Sequence, residues 1–292
     1  MSHDTLPALP ATAVDGLRRG TLAPYLGPGM LALCDPAAAA VPPADPLALA
    51  AVLTARVSVP GKIRNRLTAA AQFIENFKHR KTLVAAMDAA YAQPAAPSPL
   101  HRWLAALRTP LIVDTWYDDT LRQALVDASD QVDWAEVQGL SQSEHFGTWC
   151  GWYDGRGAAQ GDPIEAPTLL YKPWGGHAPA HNYLVSDSDF VEVLTEIDIQ
   201  TPIPQPVQHR RRRLGFVFLG CRFNDQLPRA FARQIAKRSA GPHYAVLPDE
   251  PTRMEHRFLD ELGITRVAAT LQDVAGQLLA SEPARPLAAA AA

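Results

Sequence analysis

Leu214-Gly215-Phe216-Val217-Phe218-Leu219-Gly220, followed by Cys221-Arg222-Phe223-Asn224-Asp225, is the stretch on which the fold turns. A run this short, uncharged and apolar, ended by glycine, suits a strand buried on both faces, as in a parallel sheet covered by helices. Working outward, five more short and mostly apolar runs read the same way: Pro24–Gly27, Leu111–Thr115, Leu169–Lys172, His243–Leu247 and Thr265–Ala269. Helix signals lie between them. Ser98-Pro99 places a capping residue before a first-turn proline and opens Leu100–Leu107. Ser186 with Asp189, and Thr270 with Asp273, resemble capping boxes. Ile63, Leu67, Ala70, Ile74, Phe77, Val84, Met87 and Tyr91 define one apolar face, which predicts a single helix from about Ile63 to Tyr91. Alternation of this kind predicts an α/β fold: a doubly wound, mostly parallel Rossmann-like sheet with helices on both faces and a helical or loop insertion. In such sheets ligands bind beyond the carboxyl ends of the strands, where strand order reverses.

Composition sets the class. The chain has 292 residues, 47% hydrophobic and 20% charged, enough to bury a core without staples. A net charge of −3 gives no electrostatic case for nucleic acid or anionic membrane. The one basic run, Arg210–Arg213, reads as a solvated flank of the following strand. No apolar stretch is long enough to span a bilayer. The opening Met-Ser-His-Asp has no apolar run behind it and does not read as a signal peptide. Three scattered cysteines, Cys34, Cys150 and Cys221, form no disulfide framework and point to a reducing compartment, the cytoplasm by default. The expected organisation is a flexible N-terminus over residues 1–12, one domain over 13–281 with a lid-like insertion at 118–167, and a flexible C-terminus over 282–292. Pro36–Pro46 reads as a loop.

Several local patterns could carry chemistry. Gly27-Pro28-Gly29 ends the first long strand, where the lack of Cβ atoms would let backbone N–H groups approach a pyrophosphate; an ordinary tight turn explains it equally well. It is not the three-glycine dinucleotide fingerprint, which argues against hydride transfer. Asp118 and Asp119, just past a strand, could bind ribose hydroxyls or cap the next helix. The aromatic segment Thr148–Asp154, with Trp149 and Trp152, could form a lid over a ring or a satellite apolar cluster.

Taken in order, five segments resemble the sirtuin-like NAD-binding domain found in many bacterial proteins. They are Gly27-Pro28-Gly29, Thr115-Trp116-Tyr117-Asp118, Lys172-Pro173-Trp174-Gly175, Ser186-Asp187-Ser188-Asp189-Phe190 and Gly220-Cys221-Arg222-Phe223-Asn224-Asp225, spread over roughly residues 13 to 280. The resemblance implies a site for NAD, ADP-ribose or a related nucleotide at Gly27, Gly29, Thr115, Trp116, Asp118, Trp174, Gly220, Arg222, Asn224 and Asp225. The partner it implies is a small-molecule nucleotide, not nucleic acid or membrane; a homo-oligomer or a protein partner is left unspecified.

The departures are as informative as the matches. Trp174 stands where the family has its catalytic histidine, and Trp116 where it has its active-site asparagine. Indole offers one N–H donor and accepts no proton at neutral pH, so it performs neither role. Arg222 replaces a phosphate-contacting serine and could pair with a phosphate itself. No Cys-x-x-Cys pair exists, so the zinc module of the deacylase branch is absent. The leading expectation is therefore a nucleotide-binding protein without the family's turnover, acting as a sensor or assembly component. One alternative is an NAD glycohydrolase using a relocated base at His177 or His181. Another is a soft-metal or iron–sulfur protein in which Cys34, Cys150 and Cys221 converge.

Overall fold

The structure is a computed structural model that describes residues 5–35, 42–128, 133–196 and 203–281. The expected terminal segment 282–292 and most of the Pro36–Pro46 loop lie outside the described residues.

The strands are β1 (Thr5–Leu6), β2 (Leu22–Leu26), β3 (Leu111–Asp114), β4 (Trp134–Gly139), β5 (Cys150–Asp154), β6 (Ala159–Gln160), β7 (Thr168–Lys172), β8 (Gly175–Gly176), β9 (Asn182–Tyr183), β10 (Gly215–Leu219), β11 (His243–Val246) and β12 (Ile264–Val267). The helices are α1 (Ala11–Arg18), α2 (Pro46–Arg56), α3 (Leu67–Lys78), α4 (Arg80–Tyr91), α5 (Pro99–Ala106), α6 (Thr120–Ala128), α7 (Asp187–Glu196), α8 (Gln205–Arg211), α9 (Gln226–Ala236), α10 (Arg253–Leu262) and α11 (Leu271–Ala280). One sheet runs β1-β12-β11-β10-β2-β3-β7-β4-β5-β6, and β8 and β9 form a separate ribbon. Within the sheet, pairing is parallel along the order from β1 to β4 and antiparallel at β4–β5 and β5–β6; the β8–β9 ribbon is antiparallel too.

The six apolar runs of the sequence all become strands of this sheet. Their side chains alternate between faces, as the pleat requires. Phe216 and Phe218 enter one cluster with Tyr25, Val113 and Tyr171, against α8, α9 and α10. Val217 and Leu219 enter the other with Leu26, Ile112 and Leu170, against α1, α5, α6 and α11. A third cluster, beyond the strand ends, joins α2, α3 and α4 to α7 and to Trp116 and Trp174.

Three local expectations change. The helix predicted over Ile63–Tyr91 is two helices, α3 and α4, broken at His79 with φ 71 and ψ 152. Both halves feed the same core through Ala71 and Ile74, then Leu83, Met87 and Tyr91, so the apolar spacing conceals the corner. Just after it, Arg80 ties to Asp189 at 2.9 Å and to the Tyr183 carbonyl at 2.5 Å, which fixes the change of direction. Phe77, counted on that core face, is instead exposed and stacks on Phe73. The stretch 118–167, expected as a lid-like insertion, contributes α6, β4, β5 and β6, and so widens the sheet at one edge. Trp152 of the aromatic segment packs into the core beside Val137 and Tyr171.

Candidate functional site

Chain order places the site. From β2 the sheet grows one way through β3, and β10 then returns to β2's other side. The crevice at such a reversal is where open α/β sheets accept ligands. A cleft of about 410 Å³ lies there, lined by residues that follow β2, β3, β7 and β10. Gly27, Gly29, Thr115, Trp116, Trp174, Gly220, Arg222, Asn224 and Asp225 all line it. Of the ten expected nucleotide contacts, Asp118 alone does not. Its carboxylate accepts from Thr120 N–H at 2.9 Å and caps α6, and its carbonyl accepts from Lys172 Nζ at 2.9 Å.

The glycines have another duty. Gly27 N–H donates to Leu219 O and Gly29 N–H to Gly220 O, both at 2.9 Å. These are the donors that the sequence offered to a pyrophosphate, and the strand ends have engaged them. Their small size serves the same contact: a Cβ at Gly27 would stand 2.6 Å from Gly220 O. The polar end offers Arg222, half exposed and paired with Asp249 at 2.6 Å, while the first N–H groups of α2 and α9 are taken by their own caps. Asp45 and Asp225, which cap those two helices, also line the cleft. An exposed pair such as Arg222–Asp249 is worth little and yields readily to a phosphate.

The two tryptophans occupy the other end and differ in kind. Trp116 is 1% exposed, and its Nε1–H donates to the Pro43 carbonyl at 2.7 Å. It closes the wall. Trp174 packs edge-on against Phe190 and Phe231, and its Nε1–H finds no acceptor among the described residues. A buried unpaired donor costs about 1–3 kcal/mol.

Beneath the cleft lies a buried polar network. Lys172 Nζ pairs with Asp114 at 2.7 Å, with both side chains buried. Burial pushes the Asp114 carboxyl up to about 6, with Lys172 pulling the other way. On the next strand Glu136 accepts from Gln138 at 2.5 Å and from Arg122 at 3.2 Å, and burial pushes it up to about 7. A carboxyl raised on folding contributes stability below its unfolded pKa and loses it as pH rises through the folded value. Stability should therefore fall between about pH 4.5 and 7. E136Q should flatten that decline, measured as thermal midpoints at pH 5 and pH 8; the same decline in both proteins would refute the assignment.

The candidate bases and thiols are placed elsewhere. Neither His177 nor His181 lines the cleft; His177 binds Asp119 at 2.7 Å and His181 binds Asp88 at 3.1 Å. That geometry offers no support to a relocated base. The three cysteines do not converge. Cys221 lines the cleft and donates to the Tyr25 carbonyl, Cys34 lines a different cavity with Ser98 and Arg102, and Cys150 sits on β5. Burial raises all three thiols, which disfavours the thiolates that a soft metal or cluster needs. Asp119, read from the sequence as a ribose ligand or a helix cap, holds His177 instead; the residue that sequence reasoning missed is Asp88, whose only signal was an acidic side chain far from any motif.

No helix among the described residues is long and apolar enough to cross a membrane. Compared with known families, residues 110–267, more than half of the chain, match the family model described as a SIR2-like domain. The match starts just before β3, so it includes the sites after β3, β7 and β10 but not the β2 turn. No curated protein matches the chain.

Proposed function

The chain belongs to the SIR2-like domain family, and from that premise we propose that its cleft binds NAD, ADP-ribose or a related adenine nucleotide without the family's turnover. The observation that supports this most is the position of the cleft: at the sheet's reversal, with nine of ten expected contacts lining one cavity. Arg222 favours an anionic ligand at one end. At the other end the positions of the family's His and Asn hold two indoles, and the two carboxylates that line the cleft, Asp45 and Asp225, are engaged as the caps of α2 and α9. Such a protein reports or stores nucleotide binding rather than consuming the ligand.

Isothermal titration of the full chain with ADP-ribose and with NAD should give saturable one-to-one binding, with no nicotinamide released on incubation with NAD. Absence of heat from either at millimolar ligand would end the proposal. W174F keeps a ring and removes the unpaired N–H donor. It should weaken binding about 10-fold if that donor meets the ligand, the equivalent of about 1.4 kcal/mol. Unchanged affinity in W174F would assign Trp174 to packing alone.

A further inference from the structure

Away from the cleft, α4 meets the β8–β9 ribbon at three side chains that no motif of the fold requires. Asp88 comes from α4, and His177 and His181 from the turn that joins β8 to β9. One ligand atom from each lies within 4.8 Å of those from the other two. Among the described residues no other group of three or more His, Cys, Asp or Glu side chains meets that condition.

The surroundings hold these atoms in place. Asp119 Oδ2 contacts His177 Nδ1 at 2.7 Å, and its Oδ1 accepts from Ala178 N–H at 3.0 Å, so both carboxylate oxygens are fixed. A carboxylate on Nδ1–H sets the tautomer that leaves Nε2 with a free lone pair, the arrangement that orients metal-binding histidines. Tyr183 Oη donates to Asp88 Oδ1 at 2.6 Å and orients that carboxylate in turn. His181 Nδ1 stands 3.1 Å from the same oxygen, a spacing that two ligands on one ion share. His181 also holds φ 50, a left-handed backbone uncommon for a residue other than glycine. The His177 N–H donates to Tyr117 O, and the His181 N–H to His177 O, which closes the turn and brings the rings to 5.0 Å between centroids.

We infer that Asp88, His177 and His181 form a site for a borderline divalent transition metal, Zn2+ above all. Two imidazoles and one carboxylate match that ion's preference, and three protein ligands leave a fourth position for water. The site is reachable, since the His181 side chain is 56% exposed. An ion there would pin α4 to the ribbon that carries His177, three residues beyond Trp174. The inference does not depend on what the cleft binds.

The test uses the full chain, stripped with chelator and titrated with Zn2+ alone. One equivalent should bind with Kd at or below about 1 μM. D119N, which alters only the group orienting His177, should weaken binding by about 10- to 100-fold. H181A should weaken it further. H181A removes a side chain that is 56% exposed, so the variant should still fold with a single cooperative transition without metal, while the rise in its thermal midpoint on adding Zn2+ should vanish. Co2+-loaded protein should lack a sulfur-to-cobalt charge-transfer band. Failure to bind Zn2+, affinity unchanged in both variants, or a sulfur band that assigns the ion to Cys34, Cys150 or Cys221 would each overturn the site.

Discussion

Replacing Lys172 with methionine should lower the unfolding free energy by about 3–5 kcal/mol at pH 8, the usual cost of removing one partner of a buried ion pair. Lys172 is 1% exposed and satisfies both Asp114 and the Asp118 carbonyl. Without it, Asp114 keeps a charge in the interior, at the end of β3, with only the Trp116 N–H at 3.1 Å to oppose it. The sign with pH follows from the same carboxyl. Burial already raises it to about 6, and loss of the lysine raises it further. The defect in K172M should therefore be greatest above pH 7 and should shrink as acid neutralises Asp114. Urea unfolding at pH 8 and pH 5 measures both. A defect of equal size at the two pH values would show that lost packing of the lysine stem, not stranded charge, sets the cost. The consequence reaches the cleft, because Asp114 orients the Trp116 backbone and Asp118 caps α6.

Gly220→Ala should be nearly as damaging, at about 2–5 kcal/mol. Two costs add. Gly220 has φ +65, where an alanine pays about 1–2 kcal/mol. Its Cβ would also stand 2.5 Å from Met30 N and 2.9 Å from the Gly29 carbonyl carbon, and overpacking against backbone costs about 1–3 kcal/mol. Gly27→Ala isolates the second cost: its backbone is extended, and only the close approach to Gly220 O and Cys221 Cα is violated. It should therefore destabilise less than Gly220→Ala. Gly61→Ala, which meets nothing within 4 Å and has no left-handed backbone, is the control and should change little. Denaturant midpoints for the three variants give the order directly. If Gly27→Ala and Gly220→Ala match the control, these glycines serve something other than the joining of β2 to β10.

The sequence made the six central strands legible because they are buried on both faces and so are mostly apolar, with charged residues such as Asp114 and Lys172 at their ends. It did not make β4 legible. Trp134-Ala135-Glu136-Val137-Gln138-Gly139 alternates apolar and polar side chains, which reads as a strand with one wet face. Yet Glu136 and Gln138 are fully buried, with partners in each other, Arg122 of α6 and the Ala178 carbonyl. Polar alternation marks a solvated face only when no tertiary partner covers it. The corner at His79 was hidden for the converse reason: both helices keep one apolar stripe facing one core.

By itself, then, the sequence determined the parallel α/β architecture and the order of its strands and helices. Those follow from local properties: short apolar runs and caps. Only the tertiary structure decided how those pieces are used. It gave the glycine N–H donors to neighbouring strand ends, separated the three cysteines, and set His177 and His181 outside the cleft. It also brought Asp88 from 93 residues upstream to His181. Distances across a fold depend on how elements pack, and no spacing along the chain encodes them.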